Sequence, residues 1–366
     1  MKQCPRCLND DPSLFSMRNN ERYCRACVHL LGRLADEAEE DGSVRDPHFE
    51  MGFELTKQQK IISNQLVEIG LQGDVLVEAV CGAGKTEIVL ELIKKALELG
   101  LKVGWMVARR QVVLQLGERL AEMFSELNVV SVVGGQSDQL IGDLIVMTAH
   151  QLYRYPQYFD LMIVDEPDAF PFKGDKLLAG LLEVSCKGTK VYLTATPDKS
   201  LKYDYHLLLE SRPHNRKLVE PIVYKSFKWM CYLRLIWLVR RLDRILLFVP
   251  TIKGAKLISR LLRCQMISSV SKDKENIIDE FDREGGILVT TTVLERGVTF
   301  SGVSVIVWDA SHSLYDEASL VQICGRVDRS FTYQGGECHL LCHGYNKAII
   351  DCVNRLRRHN QNAFGV

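Results

Sequence analysis

Residues 79–86 read Ala-Val-Cys-Gly-Ala-Gly-Lys-Thr and follow an apolar run at 75–77 that predicts a buried strand. A strand, a glycine-rich loop and then Lys-Thr at the start of a helix form the pattern of a phosphate-binding loop. Because glycine has no Cβ, backbone N–H groups in such a loop can converge on phosphate. Lys85 is predicted to reach the β- and γ-phosphates of ATP, and Thr86 to place its hydroxyl on Mg²⁺. The predicted phosphate- and metal-binding set is Gly82, Ala83, Gly84, Lys85 and Thr86.

Two adjacent carboxylates follow another apolar run, Leu161-Met162-Ile163-Val164. Parallel α/β sheets place ligands at the carboxyl ends of their strands, which favours a functional role over a buried structural pair. Asp165 is predicted to hold Mg²⁺, directly or through water, and Glu166 to orient and activate the attacking water. The loop and the carboxylates together predict an ATPase.

Composition sets few limits on function. The chain has 366 residues, with 46% hydrophobic and 25% charged residues, which is ordinary for a globular protein of about two or three domains. The formal net charge is zero, so any contact with nucleic acid must come from local basic patches. The amino terminus lacks the apolar region of a secretory signal, so we expect an intracellular protein.

The most apolar long window, 229–250, is interrupted by arginines and an aspartate, so it is too charged to span a bilayer. We expect an amphipathic helix followed by a strand. The side chains of Leu233, Ile236 and Trp237 form its apolar face and are expected to pack against a second sheet. Docking of that face to a membrane or a partner is the alternative.

Four cysteines near the amino terminus have the spacing of a zinc site: Cys4 and Cys7, then sixteen residues, then Cys24 and Cys27. Two such pairs complete a tetrahedral shell of four thiolates, which leaves no open position, so the predicted role of Zn²⁺ is structural. The polar residues between the pairs could not build a core alone, and metal binding would supply the folding energy. The later cysteines, Cys338 and Cys342 among them, are interpreted as core residues.

Strand and helix patterns alternate on both sides of a break, which predicts parallel sheets covered by helices. The break is marked by Arg212-Pro213-His214-Asn215 and Glu220-Pro221. The predicted organisation is therefore α/β. Its segments are a zinc module at 1–32, an exposed linker at 33–51, a first α/β domain at 52–200, a connection at 201–224 and a second α/β domain at 225–366.

The second half contributes a pair of arginines, Arg326 and Arg329, at the end of a predicted helix that includes Gln322. Residues three apart lie on one face of a helix or turn, and guanidinium groups suit the charge on the γ-phosphate oxygens during transfer. If the two halves face each other, ATP would be touched by both, and hydrolysis would open and close the cleft. A surface arginine pair is the alternative.

These elements resemble the ordered motifs of a superfamily 2 helicase or translocase, and they span most of residues 53–330. The resemblance implies two RecA-like domains and gives Gln59 the role of adenine reader. The remaining matches are motif I at 79–86, motif II at 165–168, motif III at 194–196, motif V at 290–297 and motif VI at 322–329.

More specifically, the chain resembles the ComFA family, the ATPase of DNA uptake in naturally competent Gram-positive bacteria. The resemblance is carried by the four-cysteine module and by residues 79–87, 148–152, 165–171 and 291–299. It implies ATP, Mg²⁺ and Zn²⁺ as cofactors, single-stranded DNA as substrate, and other competence proteins, including a membrane DNA channel, as partners. A homo-oligomer is one option. The implied location is cytoplasmic, peripheral at the inner face of the cell membrane.

Two residues depart from the family pattern. Pro167 replaces a small or β-branched residue in motif II, and Asp328 stands where motif VI commonly has glycine. Pairing of Asp328 with an arginine finger would weaken turnover.

Motors that act on nucleic acid of any sequence bind its phosphates through backbone N–H groups, hydroxyls and basic side chains. The candidates for these contacts are Arg109, Arg110, Gly134, Gly135, Thr148 and Gln151 in the first half, and Thr291, Thr292 and Arg296 in the second. The candidates for coupling ATP state to nucleic acid are Thr194, Thr196 and Gln322.

The leading hypothesis is an ATP-driven single-stranded DNA translocase, a helicase-like motor that serves transformation. A DNA-repair or replication-restart helicase is the second hypothesis, since restart helicases also carry zinc-bearing domains. An RNA helicase is disfavoured because Ala108-Arg109-Arg110 lacks the usual Pro-Thr-Arg signature. A non-catalytic ATP-dependent DNA clamp or adaptor is the third hypothesis, and Asp328 is its only support in the sequence.

Overall fold

The computed structural model describes residues 3–35, 46–135, 139–271, 273–294, 300–328 and 335–364. The chain forms two compact units. The first comprises Met1–Ala79 and Gly84–Leu209, and the second comprises Val80–Ala83 and Glu210–Val366.

The first unit begins with a short 3-10 helix, Pro12–Leu14, and an antiparallel hairpin of β1 (Phe15–Arg18) and β2 (Glu21–Cys24). Asn19 and Asn20 form the tip, with φ of 48° and 66°. Two left-handed residues are what a tight two-residue hairpin turn requires, and asparagine tolerates that conformation. The hairpin lies between the two cysteine pairs and brings them together.

The main sheet of the first unit has seven strands in the order β5-β6-β4-β7-β8-β3-β9, and all its pairs are parallel. Several central strands are buried along nearly their whole length, which explains their continuous apolar runs. The strands are β3 (Val75–Ala79), β4 (Val103–Val107), β5 (Val129–Val132), β6 (Leu144–Thr148), β7 (Phe159–Asp165), β8 (Cys186–Thr194) and β9 (Tyr205–Leu209).

Helices connect these strands. Thr56 and Gln59 start the first helix with a capping box, in which each side chain bonds the other residue's backbone N–H. The Asp175 carboxylate caps the fourth by accepting from two backbone N–H groups. The helices are α1 (Lys57–Ile69), α2 (Leu90–Glu98), α3 (Arg110–Met123) and α4 (Lys176–Ser185).

The second unit has a six-stranded parallel sheet in the order β10-β15-β14-β11-β13-β12. Its strands are β10 (Ile222–Lys225), β11 (Arg244–Phe248), β12 (Gln265–Ile267), β13 (Gly286–Thr290), β14 (Ser304–Trp308) and β15 (Cys338–Cys342). Its helices are α5 (Lys228–Arg241), α6 (Ile252–Leu262), α7 (Lys274–Glu284), α8 (Glu317–Cys324) and α9 (Lys347–Phe364). The predicted fold class, α/β with two parallel-sheet domains after a four-cysteine module, is confirmed.

The segment 201–224, predicted as a connection, contains two strands. β9 pairs with β3 at the edge of the first sheet, and β10 pairs with β15 at the edge of the second. Both strands are short and only partly buried, so they lack the continuous apolar run that marks the central strands.

Helix α5 packs on its sheet through Cys231, Leu235 and Leu238, which are buried. The expectation that Leu233 and Trp237 pack there is wrong, since these side chains are 58% and 46% exposed. Residues four apart share one stripe of a helix, and this stripe faces away from the sheet. Within the residues that the structure describes, no helix is long and apolar enough to cross a membrane.

The four-cysteine module packs against α4. All four cysteines belong to one hydrophobic cluster with Leu178 and Leu181 of that helix. At Gly180 the approach is closest, because a Cβ there would lie 1.9 Å from the carbonyl oxygen of Cys7. Only glycine fits between this helix and the module.

We therefore expect Gly180→Ala to destabilise the protein. Helix propensity alone would favour alanine by about 1 kcal/mol, but the clash is with backbone, and overpacking of this kind costs about 1–3 kcal/mol. Thermal unfolding of the zinc-loaded chain should show a lower Tm. Gly52→Ala is the control, because no heavy atom lies within 4 Å of a Cβ at that position. An unchanged or higher Tm for Gly180→Ala would contradict the packing described.

Candidate functional site

The loop after β3 depends on two glycines in the left-handed region. Gly82 and Gly84 have φ of 80° and 81°, a conformation that side chains with a Cβ rarely adopt. Gly84 is also crowded, since a Cβ there would lie 2.3 Å from Nε2 of Gln59 and 3.0 Å from Oε2 of Glu87. The backbone conformation therefore requires glycine at both positions, and at Gly84 the available space requires it as well.

Gln59, predicted to read adenine, lies against this loop. Its side chain is buried, and its Oε1 accepts from the backbone N–H and the hydroxyl of Thr56 at 2.9 and 3.0 Å. Gln59 therefore forms part of the capping box of α1 and also packs beside Gly84. The adenine-reading role stays a prediction.

Lys85 and the carboxylate pair that follows β7 lie close together. The Lys85 Nζ is 3.9 Å from Oε1 of Glu166. Glu166 itself has φ of 55°, a strained conformation for a residue other than glycine, and its backbone N–H donates to the Leu193 carbonyl. Strain of this kind in well-supported backbone often marks functional sites. The fold thus brings the predicted phosphate ligand beside the predicted water-activating carboxylate.

Asp168 joins motif II to motif III. Its Oδ1 accepts from the Thr194 hydroxyl at 2.5 Å, and its Oδ2 accepts from the Thr196 hydroxyl at 2.7 Å. The Thr196 N–H in turn donates to the Thr194 hydroxyl oxygen at 2.9 Å. All three side chains are buried, so these bonds fix the end of β8 to the segment that follows β7. The sequence assigned no role to Asp168.

A second contact that the sequence did not predict supports the start of the helix after the loop. Glu87 is buried, and its Oε1 accepts a charge-assisted hydrogen bond from Nη2 of Arg119 on α3. The pair joins the segment directly after Thr86 to the neighbouring helix. Thr86 lies in helical conformation just before the 3-10 helix Glu87–Val89.

Most of the predicted nucleic-acid contacts in the first unit lie at the carboxyl ends of three adjacent strands, β5, β6 and β4. Arg110 Nη1 donates to the Gly134 carbonyl at 3.0 Å. Gln151 is also near, since a Cβ on Gly134 would lie 3.9 Å from its Nε2. The remaining candidates at these strand ends are Arg109, Gly135 and Thr148.

The second unit holds Thr291 and Thr292 directly after β13, in a turn where the Thr290 hydroxyl donates to the Thr291 carbonyl. Gln322 is buried in α8, and its Oε1 accepts from the thiol of Cys81 at 3.2 Å. Arg326 is buried in the turn after α8. Arg296 and Arg329 lie outside the described residues.

Asp328 has φ of 50°, so this position of motif VI requires the left-handed conformation that glycine adopts most easily. Aspartate is one of the few other residues that enter it routinely. Its Oδ1 accepts from the backbone N–H groups of Gly335 and Gly336 at 3.2 and 3.0 Å. The departure from the family pattern therefore has a conformational account.

The four cysteines at the amino terminus have the geometry of a tetrahedral metal site. The Sγ atoms of Cys4 and Cys27 are 3.7 Å apart, those of Cys7 and Cys24 are 3.8 Å apart, and all four lie within 4.8 Å of one another. Zinc–thiolate bonds of about 2.3 Å give a tetrahedron with edges of about 3.8 Å. The residues present therefore fit Zn²⁺. No second group of three or more candidate metal ligands occurs in the described part of the chain.

Polar contacts support this module from within and from the first sheet. The Asn9 side chain donates to Sγ of Cys24 at 3.6 Å, the kind of outer contact that orients a metal ligand. Arg154 then bridges two sites, because its Nη1 donates to the Arg33 carbonyl and its Nε to Oε1 of Gln151, both at 2.7 Å. The segment directly after the module is thereby connected to a predicted nucleic-acid contact.

Comparison with family models gives two matches. Residues 52–199 match "Type III restriction enzyme, res subunit", and residues 226–330 match "Helicase conserved C-terminal domain". Among solved structures, Saccharomyces cerevisiae Dbp5 bound to RNA and ADP BeF3 has a TM-score of 0.62 at 17% identity, with 84% of this chain and 88% of that chain covered. At this identity the likeness concerns the fold alone.

Two relatives match nearly the whole chain. Competence protein ComFA of Bacillus subtilis is 32% identical over 402 residues, covering 100% of this chain and 87% of the relative. Competence protein ComFA of Streptococcus pneumoniae is 31% identical over 393 residues, covering 98% of this chain and 90% of the relative. The chain belongs to the ComFA family of competence proteins and carries the two domains of a superfamily 2 helicase.

Proposed function

We propose that this chain is an ATP-driven single-stranded DNA translocase that takes part in DNA uptake during genetic competence. The observation that carries the proposal is the approach of Lys85 Nζ to within 3.9 Å of Glu166 Oε1. A lysine in the phosphate-binding loop after β3, next to a carboxylate after β7 on the far side of β8, is the arrangement that ATP hydrolysis needs.

In this proposal ATP binds the loop at 79–86 with its phosphates on the backbone N–H groups. Mg²⁺, when bound, neutralises charge on the phosphate oxygens, and the Thr86 hydroxyl and the Asp165 carboxylate would hold it. The Lys85 ammonium binds the β- and γ-phosphates. Glu166 orients water for attack and accepts its proton. Arg326 and Arg329 contribute guanidinium charge to the transferring group.

Coupling between ATP and DNA is proposed to pass through Asp168. Its bonds to Thr194 and Thr196 join the segment that carries Glu166 to the end of β8. A change at Glu166 on hydrolysis would therefore be transmitted to that strand end, since the bonds are buried and short. Gln322 is the proposed coupling residue of the second unit.

The proposed DNA contact in the first unit is the group formed by Arg110, Gly134 and Gln151. Phosphate is the chemistry it suits, because it combines a guanidinium, a glycine backbone and a side-chain amide and reads no base edge. Phosphate contacts of this type bind strands of any sequence, as uptake of foreign DNA requires.

Zn²⁺ in the four-cysteine module is proposed to be structural and to hold the module in the fold that packs against α4. The proposed protein partners are other competence proteins, including a membrane DNA channel, and further copies of this chain. The ATP-dependent clamp stays the alternative, and the hydrolysis assay below distinguishes it from the motor.

We propose a cytoplasmic location, peripheral at the inner face of the membrane, with α5 as the docking surface. Its outward stripe carries Trp229, Leu233 and Trp237, and Trp229 is 62% exposed. Residues 222–241 include five basic and no acidic residues, in a chain whose net charge is zero. Interfacial helices combine tryptophan with basic residues in this way, and the positive charge complements anionic phospholipid.

The first test is steady-state ATP hydrolysis by wild type and Glu166→Gln, without nucleic acid and with single-stranded DNA, duplex DNA or RNA. We expect single-stranded DNA to stimulate the wild type most and Glu166→Gln to lose at least about 100-fold in kcat. Glu91→Gln, an exposed glutamate on α2, is the control and should behave as wild type.

Other results would reject parts of the proposal. Equal stimulation by RNA would reject the DNA assignment. Stimulation by forked duplex, with unwinding, would favour a repair or restart helicase. Absence of turnover in the wild type would make the ATP-dependent clamp the leading hypothesis.

Binding of Arg110→Gln to single-stranded DNA tests the proposed phosphate contact. We expect weaker binding to every sequence, with the slope of log K against log salt reduced by about 0.7, because one phosphate contact is lost. Fluorescence anisotropy at several salt concentrations measures both quantities. Lys202→Gln is the control, an exposed lysine near β9 at the opposite edge of the sheet. An unchanged slope would reject the contact.

Sedimentation with vesicles tests the docking surface. We expect wild type to bind vesicles that contain anionic phospholipid, and the double variant Trp229→Ser with Trp237→Ser to lose most of that binding while retaining ATPase activity. The control is Leu257→Ser with Leu261→Ser, which removes similarly exposed apolar side chains from α6. Equal loss in both variants would reject α5 as the specific surface.

A further inference from the structure

Arg212 is one of the most deeply buried large side chains of the protein, at 2% exposure, and no motif includes it. It lies between β9 and β10 and belongs to the second unit. Its Nη1 donates to the carbonyls of Val327 and Asp328, and its Nη2 donates to the carbonyl of Gly325, each at 2.9 Å. Its Nε donates to the carbonyl of Cys81, also at 2.9 Å.

Three of these acceptors belong to the turn that follows α8. They lie just beyond the last residue of the helix, Cys324, where the negative end of the helix dipole favours a cation, and a buried carbonyl there needs a donor. The guanidinium is planar and holds five N–H donors in a fixed fork, which lets one side chain bind several carbonyls at once. A lysine ammonium could not reproduce this geometry.

The turn needs such support. Asp328 turns the chain into the left-handed conformation, and a Cβ on Gly325 would lie 2.5 Å from Cβ of Cys81. Two of the three acceptors of Arg212 in this turn, Gly325 and Val327, are the residues immediately before and after Arg326. The backbone on both sides of the proposed arginine finger is therefore held by another arginine.

We infer that Arg212 is a positioning residue that fixes the turn 325–328 and so orients Arg326. This inference rests on the proposed function, in which Arg326 stabilises the transferring phosphoryl group. Arg212 touches no reacting atom; it acts on hydrolysis through the carbonyls of Gly325 and Val327. Its contribution through Arg326 should appear in kcat, whereas its bond to the Cys81 carbonyl of the phosphate-binding loop should appear in the KM for ATP.

A double-mutant cycle on the full chain tests the inference, with Arg212→Lys, Arg326→Lys and the combined variant assayed at saturating single-stranded DNA. We expect Arg212→Lys to lower kcat by about 10-fold, within the range of coupling between residues of one hydrogen-bonded network; loss of the bond to the Cys81 carbonyl is read separately, from the KM for ATP. We expect the kcat of the combined variant to equal that of Arg326→Lys, because a guanidinium that is absent cannot be mispositioned. Arg283→Lys is the control, an exposed arginine of α7, and should match wild type.

The outcomes distinguish failure of the positioning role of Arg212 from failure of the proposed role of Arg326. The positioning role is overturned if Arg326→Lys lowers kcat and Arg212→Lys does not. It is also overturned if the two losses in kcat multiply in the combined variant. In both cases the proposed function stands. If Arg326→Lys keeps the wild-type kcat, the finger and the positioning role both fail. Thermal unfolding of every variant identifies loss of folding. Arg212→Gln, which keeps two amide donors, replaces Arg212→Lys in the cycle if the lysine variant is unfolded.

Discussion

The ion pair between Lys85 and Glu166 depends on the order of strands in the first sheet. β3 and β7 are both neighbours of β8, and all three run parallel, so the loop after β3 and the carboxylates after β7 emerge at the same edge. A parallel sheet places its ligands at that edge for the same reason. The backbone is left-handed at Gly82 and Gly84 in the loop and at Glu166 after β7.

The features that could be predicted from the sequence are those that depend on neighbouring residues. Buried parallel strands are continuous apolar runs, and the runs at 75–77 and 161–164 lie in β3 and β7. The four-cysteine site follows from the spacing Cys4 to Cys7 and Cys24 to Cys27, because each pair can bind a metal locally. The family was also predicted from these short stretches, and the ComFA relatives confirm it.

The features that were missed depend on residues far apart in the chain. Asp168 meets Thr194 and Thr196, Glu87 meets Arg119, and Arg154 meets Arg33, and no local pattern links these partners. The spacing of apolar residues along a helix also does not determine which of its apolar faces packs against the sheet. Helix α5 has apolar residues around most of its circumference, so periodicity alone could not decide which of them would face the sheet.

In motif VI, the backbone conformation at a position limits the choice of residue without fixing which residue stands there. At 328 the backbone must be left-handed, and aspartate meets that requirement while its carboxylate binds the N–H groups of Gly335 and Gly336. An aspartate in place of glycine therefore suits the backbone conformation at this position. Arg212 presents the opposite case, since it belongs to no motif and yet binds three carbonyls of the same turn. The conformation of the turn is fixed by the groups that form hydrogen bonds with its backbone carbonyls and with the Asp328 carboxylate. These groups belong to residues outside the motif.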